Sequence, residues 1–279
     1  MISYNNRILT FGNRIIRNIS DVDAISFITA AGITNGTQVY AIDYLVTSLK
    51  ANNLWTKFIA LYPFVGGTAE SHKYNLINPT DSDAAYRLTF VKGAGVDFVH
   101  SATGVQPNGS TNYANTHLTF SNVFSDVFSN HLSYYSTTNQ ATSTGYDIGA
   151  MNSSSISVLI SIYNTSFGLL CPNSITISQI SAKKSYGFFV NTRTANNIHK
   201  VYVNGVQNGT TTTTTVTDNI TFKTYLFAAN RFGTVGNYSS KNCTFASIGT
   251  GLTDSDSLNL YKIVQKYNTI LNRQVIWVD

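Results

Sequence analysis

Gly187-Phe-Phe-Val-Asn-Thr-Arg193 and Lys200-Val-Tyr-Val-Asn-Gly-Val206 are rich in aromatic and β-branched residues, and the second runs into an Asn-Gly pair. Such residues suit a pleated, half-buried surface whose successive side chains point to opposite faces. Asn-Gly readily takes the positive φ of a tight hairpin turn. Working outward, the same pattern fills positions 54 to 251. Segments 54–65, 85–92, 117–120, 131–136, 146–150 and 155–163 read as strands, as do 187–193, 200–203, 221–228 and 243–248. Gly, Asn, Ser and Thr clusters punctuate them at the spacing of a sandwich. The six-Thr run 210–215 follows Asn208-Gly209 and reads as an edge strand.

Helices flank this region. Ser20 can cap a first helix with Val22, Ile25, Ile28 and Ala31 at helical spacing, and Gly32 with Asn35-Gly36 breaks it. Thr37 can cap a second, whose stripe is Val39, Ile42, Leu45, Val46 and Leu49, ending near Asn52-Asn53. Both are too short to stand alone and must dock on a larger body. At the other end Thr253 caps a helix with Asp254 and Asp256 in its first turn, where the dipole favours negative charge. Its stripe is Leu260, Val264, Tyr267 and Leu271. Before all of this, residues 7–11 and 14–17 flank Gly12-Asn13 as a short hairpin carrying Arg7, Arg14 and Arg17. The division expected is a hairpin or anchor segment over 1–20, a helical lead-in over 21–53, and a sandwich with a final helix over 54–279.

Only 11% of the 279 residues are charged, against about 25% in an average soluble domain. Asn, Ser, Thr and Gly must therefore keep the surface polar. The 16 Phe, 17 Tyr and many aliphatic residues argue against disorder, since so little charge could not keep them solvated. No apolar run approaches the ~18 residues of a membrane span, and the opening residues lack the apolar core of a signal peptide. Eighteen basic and 13 acidic residues leave a charge of +5 spread along the chain, which argues against nucleic acid as a partner. Cys171 and Cys243 read as two buried thiols.

The quoted strands resemble the paired strands of concanavalin A-like (laminin G-like) domains. Tyr225-Leu-Phe-Ala-Ala-Asn-Arg231, Cys243-Thr-Phe-Ala-Ser-Ile-Gly249 and Gly251-Leu-Thr-Asp-Ser-Asp256 before a helix continue the likeness. Phe27-Ile-Thr-Ala-Ala-Gly-Ile33, Leu54-Trp-Thr-Lys57, Tyr62-Pro-Phe-Val-Gly-Gly67 and His72-Lys-Tyr-Asn-Leu76 extend it over most of the chain. Together they look like the form of this domain found in bacteriophage virion proteins, especially tail and head fibres. The resemblance implies a mainly β fold, a two-sheet antiparallel jelly roll with two short N-terminal helices and one C-terminal helix. It also implies a virion setting, other virion proteins as partners, a homo-oligomer, and release by host lysis.

Catalysis finds little support in the residues. Hydrolases of this fold use a Glu-x-Asp-x-Glu strand, because glycoside cleavage needs two carboxylates flanking the bond. This chain has a single glutamate, Glu70, and no such motif. A pair could form only through folding, as Glu70 with Asp83 or Asp97. No Gly-x-Ser-x-Gly elbow is present. The five histidines show no paired metal-ligand spacing, and acids are too sparse for calcium, so no cofactor or metal is expected.

Sugar binding suits the composition better, since it wants aromatic platforms with amide donors and acceptors. In His131-Leu-Ser-Tyr-Tyr-Ser136, alternation sends Tyr134 and Tyr135 to opposite faces, so at most one is core. Tyr135 shares its face with Ser133 and His131 and is the first choice for an exposed platform. Asn191 and Arg193 on the neighbouring strand would add polar contacts. The leading expectation is a non-enzymatic phage head or tail decoration, spike or fibre protein that binds carbohydrate, anchored through Arg7, Arg14 and Arg17. A free carbohydrate-binding protein, an architectural capsid protein and, last, a polysaccharide hydrolase are the alternatives.

Overall fold

The computed structural model describes residues 10–11, 14–15, 19, 21–140, 144–153, 155–163, 167–174, 178–180, 184–211 and 219–276. A two-residue ladder of β1 (Thr10–Phe11) and β2 (Arg14–Ile15) precedes helices α1 (Val22–Ala30) and α2 (Gly36–Ala51). Then come β3 (Phe58–Tyr62), a single turn α3 (Ala69–His72), β4 (Thr89–Val91), β5 (Val99–Ser101) and β6 (Gly104–Gln106). β7 (Tyr113–Thr119), the turn α4 (Phe120–Val123), β8 (Asn130–Ser136), β9 (Ile148–Met151) and β10 (Ile156–Tyr163) follow. Next are β11 (Phe167–Ser174), β12 (Ser178–Ile180), β13 (Gly187–Ala195), β14 (Ile198–Val203) and β15 (Val206–Thr211). The chain finishes with β16 (Lys223–Leu226), β17 (Ala229–Arg231), β18 (Thr234–Gly236), β19 (Cys243–Gly249) and α5 (Asp254–Ile270).

Two sheets form the expected mainly β sandwich. One runs β15-β14-β13-β8-β19-β6-β5, with β3 also on β19. The other runs β12-β11-β10-β9-β16-β7-β4, with the β17–β18 ribbon attached to β9. Among the described residues the strands pair antiparallel except where β17 lies parallel to β9, with one isolated parallel bridge between Tyr146 and Tyr238. Between the sheets pack Leu132, Tyr134, Phe189, Val201 and Ile248 from one side and Ala114, Leu118, Ile148, Leu159 and Leu226 from the other. The hairpin read from Asn204-Gly205 forms as expected: Val203 pairs with Val206, and φ is +50° at Asn204 and +77° at Gly205. The Thr-rich run begins in β15, at the edge of its sheet; residues 212–218 lie outside the described ones.

A third layer sits on the eight-stranded sheet. Val39, Ile42, Leu45, Val46 and Leu49 of α2 are fully buried, as the stripe predicts. They share one core with α1, with Leu260, Val264 and Tyr267 of α5, and with Tyr135, Phe188, Val190 and Phe245 of the sheet. Leu271 is only partly buried against it. Two caps differ from the sequence reading. Asp21, not Ser20, caps α1, its Oδ1 accepting from Asp23 N at 2.9 Å. Asn35, not Thr37, caps α2. Both acceptors bond strongly to the second and third amides of a helix, and Asp21 also meets Lys50 at 2.7 Å, tying the two helices together. Val22, placed on the buried stripe of α1, is instead 69% exposed. Thr253 caps α5 in a reciprocal box with Asp256.

Candidate functional site

All four residues expected at a sugar site lie in the interior. Tyr135, His131 and Asn191 are 0% exposed and Arg193 is 1% exposed. The expectation of an exposed platform at Tyr135 is therefore corrected. Alternation does send Tyr134 and Tyr135 to opposite faces, but both faces of β8 are covered, one by the second sheet and one by the helices.

Each of the four has a structural occupation. His131 Nδ1–H donates to Thr250 O at 2.6 Å, which leaves Nε2 to accept from Ser247 Oγ at 3.0 Å. Asn191 Nδ2 crosses to the other sheet and donates to Val158 O at 3.1 Å, while its Oδ1 accepts from His199 at 2.8 Å. Arg193 lies over the Phe128 ring at 4.7 Å and donates to Asn196 O at 2.7 Å. Tyr135 donates to Gln265 Oε1 at 2.7 Å and accepts from Val275 N at 2.9 Å. Burial pushes its phenol up to about 12.

The remaining sequence candidates are all tied up in ion pairs. Glu70 and Asp83 sit at the two ends of one chain, Glu70–Lys73–Asp81–Arg87–Asp83, with contacts of 2.7 to 3.1 Å, and Asp97 pairs separately with Lys92 at 2.8 Å. Asp147, the acid in mid-sandwich, is buried against Lys241 at 3.0 Å and accepts from Ser161 and Ser239. Among the described residues no three His, Cys, Asp or Glu side chains gather as a metal site would need. Cys243 is a buried free thiol, and β11 carries Cys171 opposite Val158. Arg7 and Arg17 lie outside the described residues; Arg14 pairs with Phe11 in the small ladder.

A groove of about 420 Å³ opens between the β14–β15 hairpin, α5 and the chain that follows α5. That volume falls within the range of small-ligand sites, roughly 300–1,000 Å³. Its lining holds one aromatic ring, Tyr261, three amides, Asn204, Asn208 and Gln265, and the aliphatic Val203, Val206, Val275 and Ile276. Val206 and Ile276 are 69% and 70% exposed, so two large apolar side chains face solvent across it. None of the lining residues among those described is charged.

The local chain explains why the walls stand where they do. Gly205 lies against Tyr261: a Cβ there would come within 2.6 Å of the ring. Only glycine fits both that approach and the positive φ. Asn204 Oδ1 accepts from Phe188 N at 2.8 Å and fixes the hairpin to β13. Gln265 Nε2 donates to Val275 O at 3.0 Å. With the two bonds of Tyr135, this makes a closed set that holds the wall bearing Val275 and Ile276. Tyr135 is thus behind the groove rather than in it. A smaller cleft of about 170 Å³ beside Thr192 and Leu252 is spanned by Lys200 and Asp254, paired at 2.6 Å.

The Asn-Gly turn is legible in the sequence and the groove is not, because Tyr261 and Gln265 read as ordinary positions of an amphipathic helix. Their meeting with β14 and β15 is tertiary.

No protein-family model and no curated protein matches the sequence. Among solved structures, the chain is similar to the botulinum neurotoxin type C chain from work on its entry into cells through two ganglioside molecules (TM-score 0.50, 12% identity, 77% of this chain, 53% of that one). It is equally similar to the binding domain of botulinum neurotoxin DC solved with SialylT (TM-score 0.50, 12% identity, 77% and 52%). Domain 4 of AbnA, an extracellular GH43 arabinanase of Geobacillus stearothermophilus solved with arabinotriose, also matches (TM-score 0.48, 16% identity, 73% and 98%). The chain spans about half the length of the two toxin chains it matches. At such identities the likeness shows the fold, a two-sheet β-sandwich of the jelly-roll kind.

Proposed function

We propose that this chain binds carbohydrate without cutting it, and that the groove beside Tyr261 holds a short neutral glycan. The observation that carries this reading is the lining: among the described residues, one aromatic ring, three amides, exposed aliphatic side chains and no charge around about 420 Å³. Sugars present apolar ring faces edged by hydroxyls, and that surface matches them. The toxin neighbours support it in kind, since cell entry of the type C toxin depends on two ganglioside molecules. The ion-paired state of Glu70, Asp83 and Asp97 supports binding over hydrolysis, which needs an acid and a base facing one bond.

The setting we infer is a bacteriophage particle, with residues 1–20 attaching the chain to other virion proteins. That part rests on the order of the sequence motifs quoted above. Titration of the protein against a panel of neutral oligosaccharides tests the binding. Val206→Asp, at an exposed wall, should abolish the heat signal while leaving the fold intact. Binding that survives Val206→Asp removes the groove from consideration, and sugar release during titration removes the non-catalytic reading. Co-sedimentation of full-length and 1–20-deleted protein with particles tests the setting separately.

A further inference from the structure

Among the described residues, the nine-stranded sheet differs from its partner in having no helical layer on its outer face. In β7 and β16, Ala114, Leu118 and Leu226 point into the sandwich. Tyr113, Asn115 and Tyr225 therefore point outward. Register aligns Tyr225 with Asn115 on one side and Gly149 on the other. The Tyr113 and Tyr225 rings lie 4.6 Å apart at 40°, both half-buried. Tyr146 comes close over Gly149, where a side chain would touch its ring at 3.3 Å, and Tyr146 bridges to Tyr238. Tyr113, Tyr146 and Tyr225, from distant parts of the sequence, thus share one surface, and Tyr238, main-chain bridged to Tyr146, lies near enough to Tyr113 to interact with it.

Several polar groups on this surface have no partner among the described residues. Asn115 Oδ1 accepts from His117 N at 2.9 Å, and its Nδ2 has no partner among the described residues. The Tyr113 and Tyr225 hydroxyls make no hydrogen bond there either. Lys223, two residues before Tyr225 and on the same face, is exposed and has no carboxylate partner among the described residues. Arg231 is exposed and donates to an amide, Asn237 Oδ1 at 3.1 Å. Positions 113–119, 148–151, 223–226 and 229–238 contain no Asp or Glu. Asp83 reaches the rim at His117, 3.4 Å away, and is itself held by Arg87 at 3.1 Å.

We propose that this face is a second carbohydrate site, for an internal stretch of a carboxylate-bearing polysaccharide. An open sheet face lets a chain lie across it without presenting an end. Rings would stack on sugar faces, Asn115 would donate to hydroxyls, and Lys223 and Arg231 would meet carboxylates. The proposal stands independently of the groove, whose lining is uncharged and which lies on the opposite side of the sandwich.

The test is affinity electrophoresis through gels containing polygalacturonate or neutral dextran, at low and raised salt. Wild type should be retarded by polygalacturonate and not by dextran, and added salt should weaken the effect. Tyr225→Ala should weaken retention by about tenfold. Lys223→Glu, at an exposed position that cannot unfold the protein by cavity formation, should weaken it comparably. Val206→Asp should leave it unchanged, which separates this face from the groove. Absence of retardation overturns the proposal. So does equal retardation by dextran, or retention that both face variants keep and Val206→Asp removes.

Discussion

Arg273 carries a charge into the interior with no carboxylate to meet it among the described residues. It is 6% exposed, and its guanidinium is surrounded by oxygens of neutral groups. Nε donates to Asn268 Oδ1 at 2.9 Å; Nη1 to Phe64 O at 2.6 Å and Ala102 O at 3.2 Å. Nη2 donates to Pro63 O at 2.8 Å and Thr244 O at 3.0 Å. The side chain thereby ties the chain after α5 to the loop after β3, to the β5–β6 turn and to β19. Replacing it with Met keeps most of the volume and removes every donor. Pro63 O still accepts from Tyr267 Oη at 2.9 Å, so the main losses fall on Phe64 O, Thr244 O and Asn268 Oδ1.

Each orphaned buried acceptor costs roughly 1–3 kcal/mol. Part of that is returned, because a buried cation no longer has to be desolvated. We expect Arg273→Met to cost about 3 kcal/mol, a large share of the roughly 5–15 kcal/mol that holds a domain folded. The assay is urea unfolding at pH 7 followed by intrinsic fluorescence, comparing midpoints at constant slope. A loss below about 1 kcal/mol would refute the reasoning, since the carbonyls would then be satisfied without the guanidinium. Val275 lies two residues beyond, so glycan binding at the groove should fall even under conditions where the variant stays folded.

Gly205→Ala must force a left-handed backbone and push a Cβ into Tyr261; a loss of about 2–4 kcal/mol is expected in the same unfolding assay, with weaker groove binding. Tyr135→Phe removes the hydroxyl shared by Gln265 and Val275, at a cost of about 1–3 kcal/mol. Faster amide exchange at Val275 would report the loosened wall, and unchanged exchange would count against it. Burial is the main cause that pushes His72 down to about 2, His131 to about 4 and His199 to about 3, all below the ordinary 6.5. The unfolded chain then takes up protons that the folded one refuses, so the stabilisation is complete above pH 6.5 and drains away as pH falls toward the folded values. Between pH 7 and pH 5 each contributes roughly 2 kcal/mol of loss, with a further loss of the same sign from His100 and His117, and His131→Asn should remove about 2 kcal/mol of that loss from the pH profile of unfolding free energy.

Much of this architecture is legible in the chain. The α2 stripe, the Thr253 cap and the Asn204-Gly205 turn all depend on neighbours within a few residues, and all appear where local chemistry puts them. Three-residue strands such as Val99–Ser101, Gly104–Gln106 and Thr234–Gly236 are too short to show a period. Tyr135 marks a different limit. Period two tells which side chains share a face of β8, but not whether water or a helix lies over that face. The helical segments were readable and their need to dock was plain; which sheet they would cover depends on the tertiary arrangement. Tyr113 and Tyr225 meet for the same reason, through a pairing of strands far apart along the chain.

The helical layer matters to anyone wishing to transplant this sandwich. Residues 21–53 look like a detachable preface, yet α1 and α2 seal one side of the eight-stranded sheet together with α5. Trimming them away would strip cover from the core they share with Leu260, Val264 and Tyr267 of α5 and with the sheet, and sticky aggregates would be the product. Grafts should therefore begin before Asp21, keeping its bond to Lys50, and leave the tyrosine-bearing side as the surface to be redecorated.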